Sequence, residues 1–168
     1  MKLLDILKKK NIEHVINNDG SIHVGGSLDL EGTGITSLPD NLSVGGSLDL
    51  EGTGITSLPD NLSVGGYLDL RSTGITSLPD NLSVGGSFYL DPQRISNVSY
   101  RENCGYSSRT IFAVWMDNTF KIAAGCFFDT LDAFEEAVDG SYSGDAAETY
   151  KQHARDCINE LVKKLNKK

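Results

Sequence analysis

Residues 27–86 constrain this chain more than anything else in it. The twenty-residue segment SLDLEGTGITSLPDNLSVGG stands there twice without a change and a third time with three substitutions. Self-similarity at so short a period is the signature of a solenoid, in which a unit too small to fold alone buries its apolar side against its neighbours. The apolar positions of the first copy are Leu28, Leu30, Ile35, Leu38, Leu42 and Val44. Leu28 and Leu30 alternate with Ser27, Asp29 and Glu31, which predicts a short strand with its polar side outward. Gly32 and Gly34 permit a tight corner, Leu38-Pro39-Asp40-Asn41-Leu42 returns along the other side, and Gly45-Gly46 turns back into the next strand. Copies of such a unit stack in parallel register.

The flanking segments read as covers for that stack. Leu3, Leu4, Ile6 and Leu7 share one side of a helix predicted over about residues 2–10, with Lys8, Lys9 and Lys10 at its C-terminal end, where the macrodipole favours positive charge. EHVI and SIHV flank Asn17-Asn18-Asp19-Gly20, the pattern of a hairpin. Ile22, Val24, Gly25 and Gly26 echo Leu42, Val44, Gly45 and Gly46, so the array begins half a repeat early. Helix and hairpin together can shield an apolar end and an unpaired strand edge. At the other end a decayed fourth copy, SFYLDPQRISNV, keeps Phe88, Leu90, Ile95 and Val98 at the core offsets.

From Tyr100 onward the composition changes and aromatics and cysteines appear. Residues 110–116 and 119–124 flank Asp117-Asn118 as a two-residue hairpin. A helix is predicted to open at Asp129 or Thr130, with Leu131, Phe134 and Val138 on one face and Gly140 after its end. The last helix is predicted from Asp145, capped by that side chain with Glu148 three residues on, and its apolar stripe is Ala147, Tyr150, Ala154, Cys157, Leu161 and Leu165. Lys163, Lys164, Lys167 and Lys168 end the chain.

The expected fold is therefore α+β. It comprises an N-terminal helix-hairpin cap over residues 1–26, a short parallel β solenoid over 27–98, and a β-hairpin plus two-helix module over 99–168. The solenoid divides into 27–46, 47–66, 67–86 and a degenerate 87–98.

LDLEGTGITSLPDNL resembles the short bacterial leucine-rich repeat, LxVxxNxLxxLP followed by a leucine, over about residues 22–98. Thr33, Thr53 and Thr73 stand where that family has an asparagine ladder, a departure at the corner of each coil. The resemblance implies a curved solenoid with a parallel sheet on its concave face, and protein binding as the usual role. A calcium-binding β-roll fits worse. GGSLD resembles GGxGxDx, but the acid arrives one position early, Leu48 stands in place of the third glycine, and the period is twenty rather than nine. AAGCFFDTLDAFEEAV, followed by a tyrosine-containing helix, is similar to a small module that trails short repeats in proteins of bacteriophages and other mobile elements. That likeness spans about residues 109–162 and implies an origin rather than a chemistry.

Charge narrows the choice of partner. The formal net charge is −8, and the repeats carry eight acids against the single base Arg71. Phosphate repulsion argues against direct nucleic-acid binding, and the first residues are too short and too charged for a signal peptide or membrane span. Cys104, Cys126 and Cys157 are odd in number and lack CxxC spacing, so neither a disulfide framework nor a zinc site is expected, and a cytoplasmic setting in a bacterial host fits. Cys126 with His153, or His153 with Cys157, could in principle supply a nucleophile and base. No third orienting residue or oxyanion loop accompanies them, and Cys157 lies on the apolar stripe. Some bacterial effectors with these repeats carry a ubiquitin-ligase domain with a Cys-x-Asp motif, which Cys157-Ile158-Asn159 does not supply. No catalytic, cofactor or metal site is expected.

Function is expected where the copies differ. The third copy has Tyr67 for Ser, Arg71 for Glu and Ser72 for Gly, none at an apolar position. The strand face then has two parts: an acidic ladder of Asp29, Glu31, Asp49 and Glu51, and a mixed patch of Tyr67, Asp69, Arg71, Tyr89 and Asp91. Tyrosine and arginine most often anchor interfaces, which points to a partner-binding patch. The competing structural role is that Tyr67, Arg71 and Tyr89 pack against the following module, or that Arg71 relieves repulsion between stacked acids. The expected function is non-enzymatic protein binding, in a phage or prophage protein that inhibits a host factor. The alternatives are an acidic decoy of a nucleic-acid-binding surface, carried by the acidic ladder, and a purely structural or oligomerising element.

Overall fold

The computed structural model describes residues 2–105 and 108–166. The chain divides into two compact units, Met1–Ile95 and Ser96–Lys168. The first opens with helix α1 (Leu3–Lys9), which buries Leu3, Ile6 and Leu7. Strands β1 (Val15–Ile16) and β2 (Ile22–Val24) form the antiparallel hairpin that follows.

The repeats build a parallel β-solenoid of about three turns, and each copy supplies two strands rather than the one read from the sequence. Strands β3 (Leu28–Asp29), β5 (Leu48–Asp49), β7 (Leu68–Asp69) and β9 (Phe88–Tyr89) form a four-stranded parallel sheet. Strands β4 (Ser43–Val44), β6 (Ser63–Val64) and β8 (Ser83–Val84) extend from β2 as a second parallel sheet, with β1 at its end. The Gly45-Gly46 pair does not reverse the chain. It bends the chain between the two sheets while its amides stay bonded to the coil before, Gly45 N to Val24 O at 2.7 Å and Gly46 N to Gly26 O at 3.0 Å.

The predicted inward set is buried: Leu28, Leu48, Leu68 and Phe88 stack in register, and Ile35, Ile55, Ile75 and Ile95 are buried at one offset of successive coils. Each such side chain contributes about 2 kcal/mol, against about 1 kcal/mol for a typical hydrogen bond, so the apolar stack dominates and the polar ladders fix register. Those ladders join residues at the same offset of adjacent coils. Ser27 Oγ accepts from Ser47 N and Ser47 Oγ from Tyr67 N, both at 3.0 Å. Asn61 Nδ2 donates to Asn41 Oδ1 at 2.9 Å, and Asn61 N to Asn81 Oδ1 at 3.2 Å. Threonine works differently from a coil-to-coil ladder: the hydroxyls of Thr33, Thr53 and Thr73 donate to Leu30, Leu50 and Leu70 carbonyls within their own coils.

The predicted glycine corner holds only in part. Gly32, Gly34 and Gly52 have positive φ, but Gly54 and Gly74 do not, and Ser72 takes φ 58° where the other copies have glycine. An αL residue other than glycine costs about 1 kcal/mol. The bond from Ser72 N to Asp91 Oδ2 at 2.8 Å offsets it. A 3₁₀ turn at Pro92–Arg94 follows, and Ile95 completes the apolar stack.

In the second unit the predicted hairpin is the centre of a four-stranded antiparallel sheet. Strand β10 (Ser99–Cys104) pairs with β11 (Arg109–Met116), β11 with β12 (Thr119–Ala124), and β12 with β13 (Phe127–Thr130). Asp117 and Asn118 both have positive φ, the geometry that a two-residue I′ turn demands. Val98 also belongs to this unit, where its carbonyl accepts Lys164 Nζ at 2.8 Å.

Helix α2 (Leu131–Ser141) is capped by Thr130, whose Oγ1 accepts from Ala133 N. It runs through Gly140 instead of stopping before it. Helix α3 (Gly144–Leu165) starts after Ser143, so Asp145 lies in its first turn and no side-chain cap bond forms. Glu148 turns to Lys151 at 2.9 Å and to Arg155 at 3.9 Å, a pairing across helical turns that replaces the predicted capping box. The predicted stripe is otherwise in the core, with Ala147, Tyr150, Ala154, Cys157 and Leu161 buried and Leu165 packed beside them. Lys167 and Lys168 lie outside the described residues. Among the described residues no helix is long and apolar enough to cross a membrane.

Candidate protein-binding face

Register determines what stands on the outward side of the four-stranded sheet. Pairing places Asp29, Asp49, Asp69 and Tyr89 in one row across β3, β5, β7 and β9. Each aspartate closes a small turn on its own backbone: Oδ1 accepts from the amide two residues on, Glu31 N and Glu51 N at 2.9 Å and Arg71 N at 3.0 Å. The carboxylates are thereby held in the same pose in successive coils.

The mixed patch does assemble, with one member in an unexpected place. Asp69 faces outward on the strand yet is only 3% exposed. Arg71 accounts for its partners, with Nε 3.0 Å from Oδ1 and 3.2 Å from Oδ2, and Nη2 2.6 Å from Oδ2. The same guanidinium lies 3.8 Å from Glu51 and 5.1 Å from the centre of the Tyr89 ring. Bonding to Asp69 raises the Arg71 pKa above its ordinary value, so it stays charged throughout the working range. Tyr67 meets Tyr89 edge to face at 6.1 Å and remains 40% exposed. Its phenol is held above the usual range by desolvation and by Asp49, Asp69 and Asp29, so it remains a hydrogen-bond donor. Asp91 is committed to Ser72 N.

Asp49, Glu51 and Asp69 bring carboxylate oxygens within 4.8 Å of one another, enough by number for a divalent cation. Arg71 already contacts Asp69 and Glu51 there, and supplies the positive charge itself. Asp29 and Glu31 are exposed, and Asp49 and Glu51 half-buried.

Tyr89 already belongs to the patch read from the sequence, and the pairing of Asp69 with Tyr89 gives it the register position that the earlier coils fill with aspartate. The amide ladder of Asn41, Asn61 and Asn81 escaped sequence reasoning, because its only mark was recurrence at one offset.

The candidate nucleophile–base pairs fare differently. Cys157 is fully buried in the second unit's core, and burial pushes its thiol up to about 12. Cys104 is likewise buried and raised, whereas Cys126 is exposed in the turn between β12 and β13. His153 lines a cavity of about 310 Å³ with Asn103, Tyr142, Thr149 and Tyr150. Under native conditions at neutral pH, iodoacetamide should therefore alkylate Cys126 well before Cys104 or Cys157, because only an accessible thiolate reacts. Peptide mass spectrometry reads the order, and equal labelling would contradict this burial.

The fold and this face define a short parallel β-solenoid with an acidic, tyrosine-bearing sheet surface, joined to an antiparallel sheet with two helices. No family model, curated protein or solved structure matches the chain.

Proposed function

We propose that the protein is a non-enzymatic binding module that engages a protein partner through the outward face of the four-stranded sheet, around Tyr67, Asp69, Arg71, Tyr89 and Asp91. The observation that carries this reading is Tyr67. The third copy departs from the first two at an outward position, and the residue placed there is a large aromatic left 40% exposed. A tyrosine added only for packing would be covered, and an exposed ring beside a guanidinium is the composition of an interface anchor.

Two finer features belong to the same proposal on resemblance alone: the array is of the leucine-rich-repeat type, and the protein is a phage or prophage product that inhibits a host factor in the bacterial cytoplasm. The acidic-decoy alternative would move binding from Tyr67 to the acidic ladder.

Affinity capture from a bacterial lysate with the whole chain and with Tyr67→Ser tests the reading. Tyr67→Ser restores the residue of the first two copies and leaves the Arg71–Asp69 pair in place. We expect the variant to melt with the wild type and to lose most of what the wild type retains. Identical captured proteins in both arms would sink the role assigned to Tyr67.

A further inference from the structure

We infer that a second copy of this chain pairs with β1 along its open edge, antiparallel across a twofold axis at Val15. The inference is independent of the role given to Tyr67, which stands beside β7 of the other sheet.

The hairpin shields β2 but has an outer edge of its own. The five-stranded sheet runs β1-β2-β4-β6-β8, so β1 has a neighbouring strand on one side only. Directly opposite residues of an antiparallel pair alternate between bonded and non-bonded. Asn17 N donates to Ser21 O at 2.9 Å, which fixes the phase: Val15 bonds toward His23, while the amide and carbonyl of Ile16, opposite Ile22, point away from β2. Those of His14 follow by the same alternation. Val24 agrees, since its carbonyl turns to the far side of β2 and accepts Gly45 N at 2.7 Å. Among the described residues nothing bonds to the Ile16 backbone on its open side.

The side chains mark the same edge. With Tyr67, Val15 and Ile16 are the exposed large hydrophobic side chains among the described residues, at 56% and 53%. Both are β-branched strand formers, and β1 carries none of the lysine or proline that blunts a free edge.

Register identifies the occupant. An axis at Val15 sets His14 against Ile16 of the second copy and Ile16 against its His14, so about four backbone hydrogen bonds form from groups that face outward already. The two Val15 side chains meet in a close non-bonded pair, and Glu13 faces Asn17 of the second copy, an acid against an amide donor. Moving the axis to Ile16 would set Glu13 against Asp19, two acids. Moving it to His14 would call on Ile12, whose amide already donates to Leu7 O at 2.9 Å and whose carbonyl accepts His14 Nδ1 at 2.8 Å. The edge thus complements itself in a single register, which is what a twofold contact requires.

Sedimentation equilibrium of the full chain tests the pairing. A contact this short lies at the weak end of specific interfaces, so between about 5 and 500 µM the mass should rise from 18.1 kDa toward twice that, with half-association near roughly 100 µM. Ile16→Pro removes an outward amide and leaves the bonds to β2 in place, and Val15→Lys sets like charges across the axis. Each variant should melt with the wild type and associate roughly tenfold more weakly or worse. Amide exchange should slow with rising concentration at His14 and Ile16. A mass of 18.1 kDa at the highest concentration would overturn the inference and leave the edge to an extended segment of another protein. Association unchanged in both variants would place the contact elsewhere and overturn it equally.

Discussion

Replacing Gly65 with alanine should destabilise the solenoid by about 3 kcal/mol, because the added carbon has nowhere to go. An ideal Cβ at Gly65 would sit 2.3 Å from Gly45 O and 3.1 Å from Gly45 C, which is backbone and cannot swing aside. Relief requires the coils to separate at that point, stretching the bonds from Gly65 N to Val44 O at 2.8 Å and from Gly66 N to Gly46 O at 2.9 Å. For a unit of this size the loss corresponds to a drop of roughly 15 °C in a thermal melt followed by circular dichroism. Gly25 supplies the control, since it occupies the same place in the motif but begins the stack and meets nothing within 4 Å. Gly25→Ala should stay within about 0.5 kcal/mol of wild type. Equal losses at the two positions would show that glycine is required for its bend and not for close approach between coils.

Arg71→Met should cost the first unit about 2 kcal/mol. Removing one partner of a buried pair ordinarily costs about 3–5 kcal/mol, and the figure is discounted because the Arg71 side chain is 48% exposed and partly screened. What remains is an Asp69 carboxylate only 3% exposed, its oxygens keeping the Arg71 backbone amide but losing the three guanidinium bonds. Asp69→Asn in the Arg71→Met background should recover part of the loss by removing the uncompensated charge. Melts of both variants measure the effect. A single variant indistinguishable from wild type, or a double variant weaker than the single, would mean that the guanidinium does not stabilise this carboxylate.

How much was legible depended on whether a residue's role is set by its own coil or by the next. Leu28, Leu30, Ile35, Leu38, Leu42 and Val44 are apolar in every copy, so the inward set could be read without a structure. Asp117-Asn118 and Thr130 were legible for a local reason, since turn and cap chemistry act within a few residues. The Ser43–Val44 strand escaped because two residues cannot show alternation, and only stacking turns them into a ladder. Asp69 escaped for a related reason. Alternation correctly pointed it outward, but burial came from Arg71 and its neighbours folding over it, which no periodicity encodes. Ser143 and Asp145 compete within one short segment, and the sequence offered a capping box that the helix leaves unused in favour of pairs with Lys151 and Arg155.

Several coil-to-coil bonds recur at one offset from copy to copy, Ser47 N to Ser27 Oγ and Tyr67 N to Ser47 Oγ, Gly45 N to Val24 O and Gly65 N to Val44 O, so the junctions between the repeats are chemically alike. A chain that lost residues 47–66, or gained another such copy, would close with the same joints at both ends. Each added or removed coil would shift the Tyr67–Arg71 patch by about 4.8 Å relative to the N-terminal cap without altering either. The array thus works as a ruler graduated in whole copies, able to lengthen or shorten its reach by duplication or deletion while its ends stay fixed.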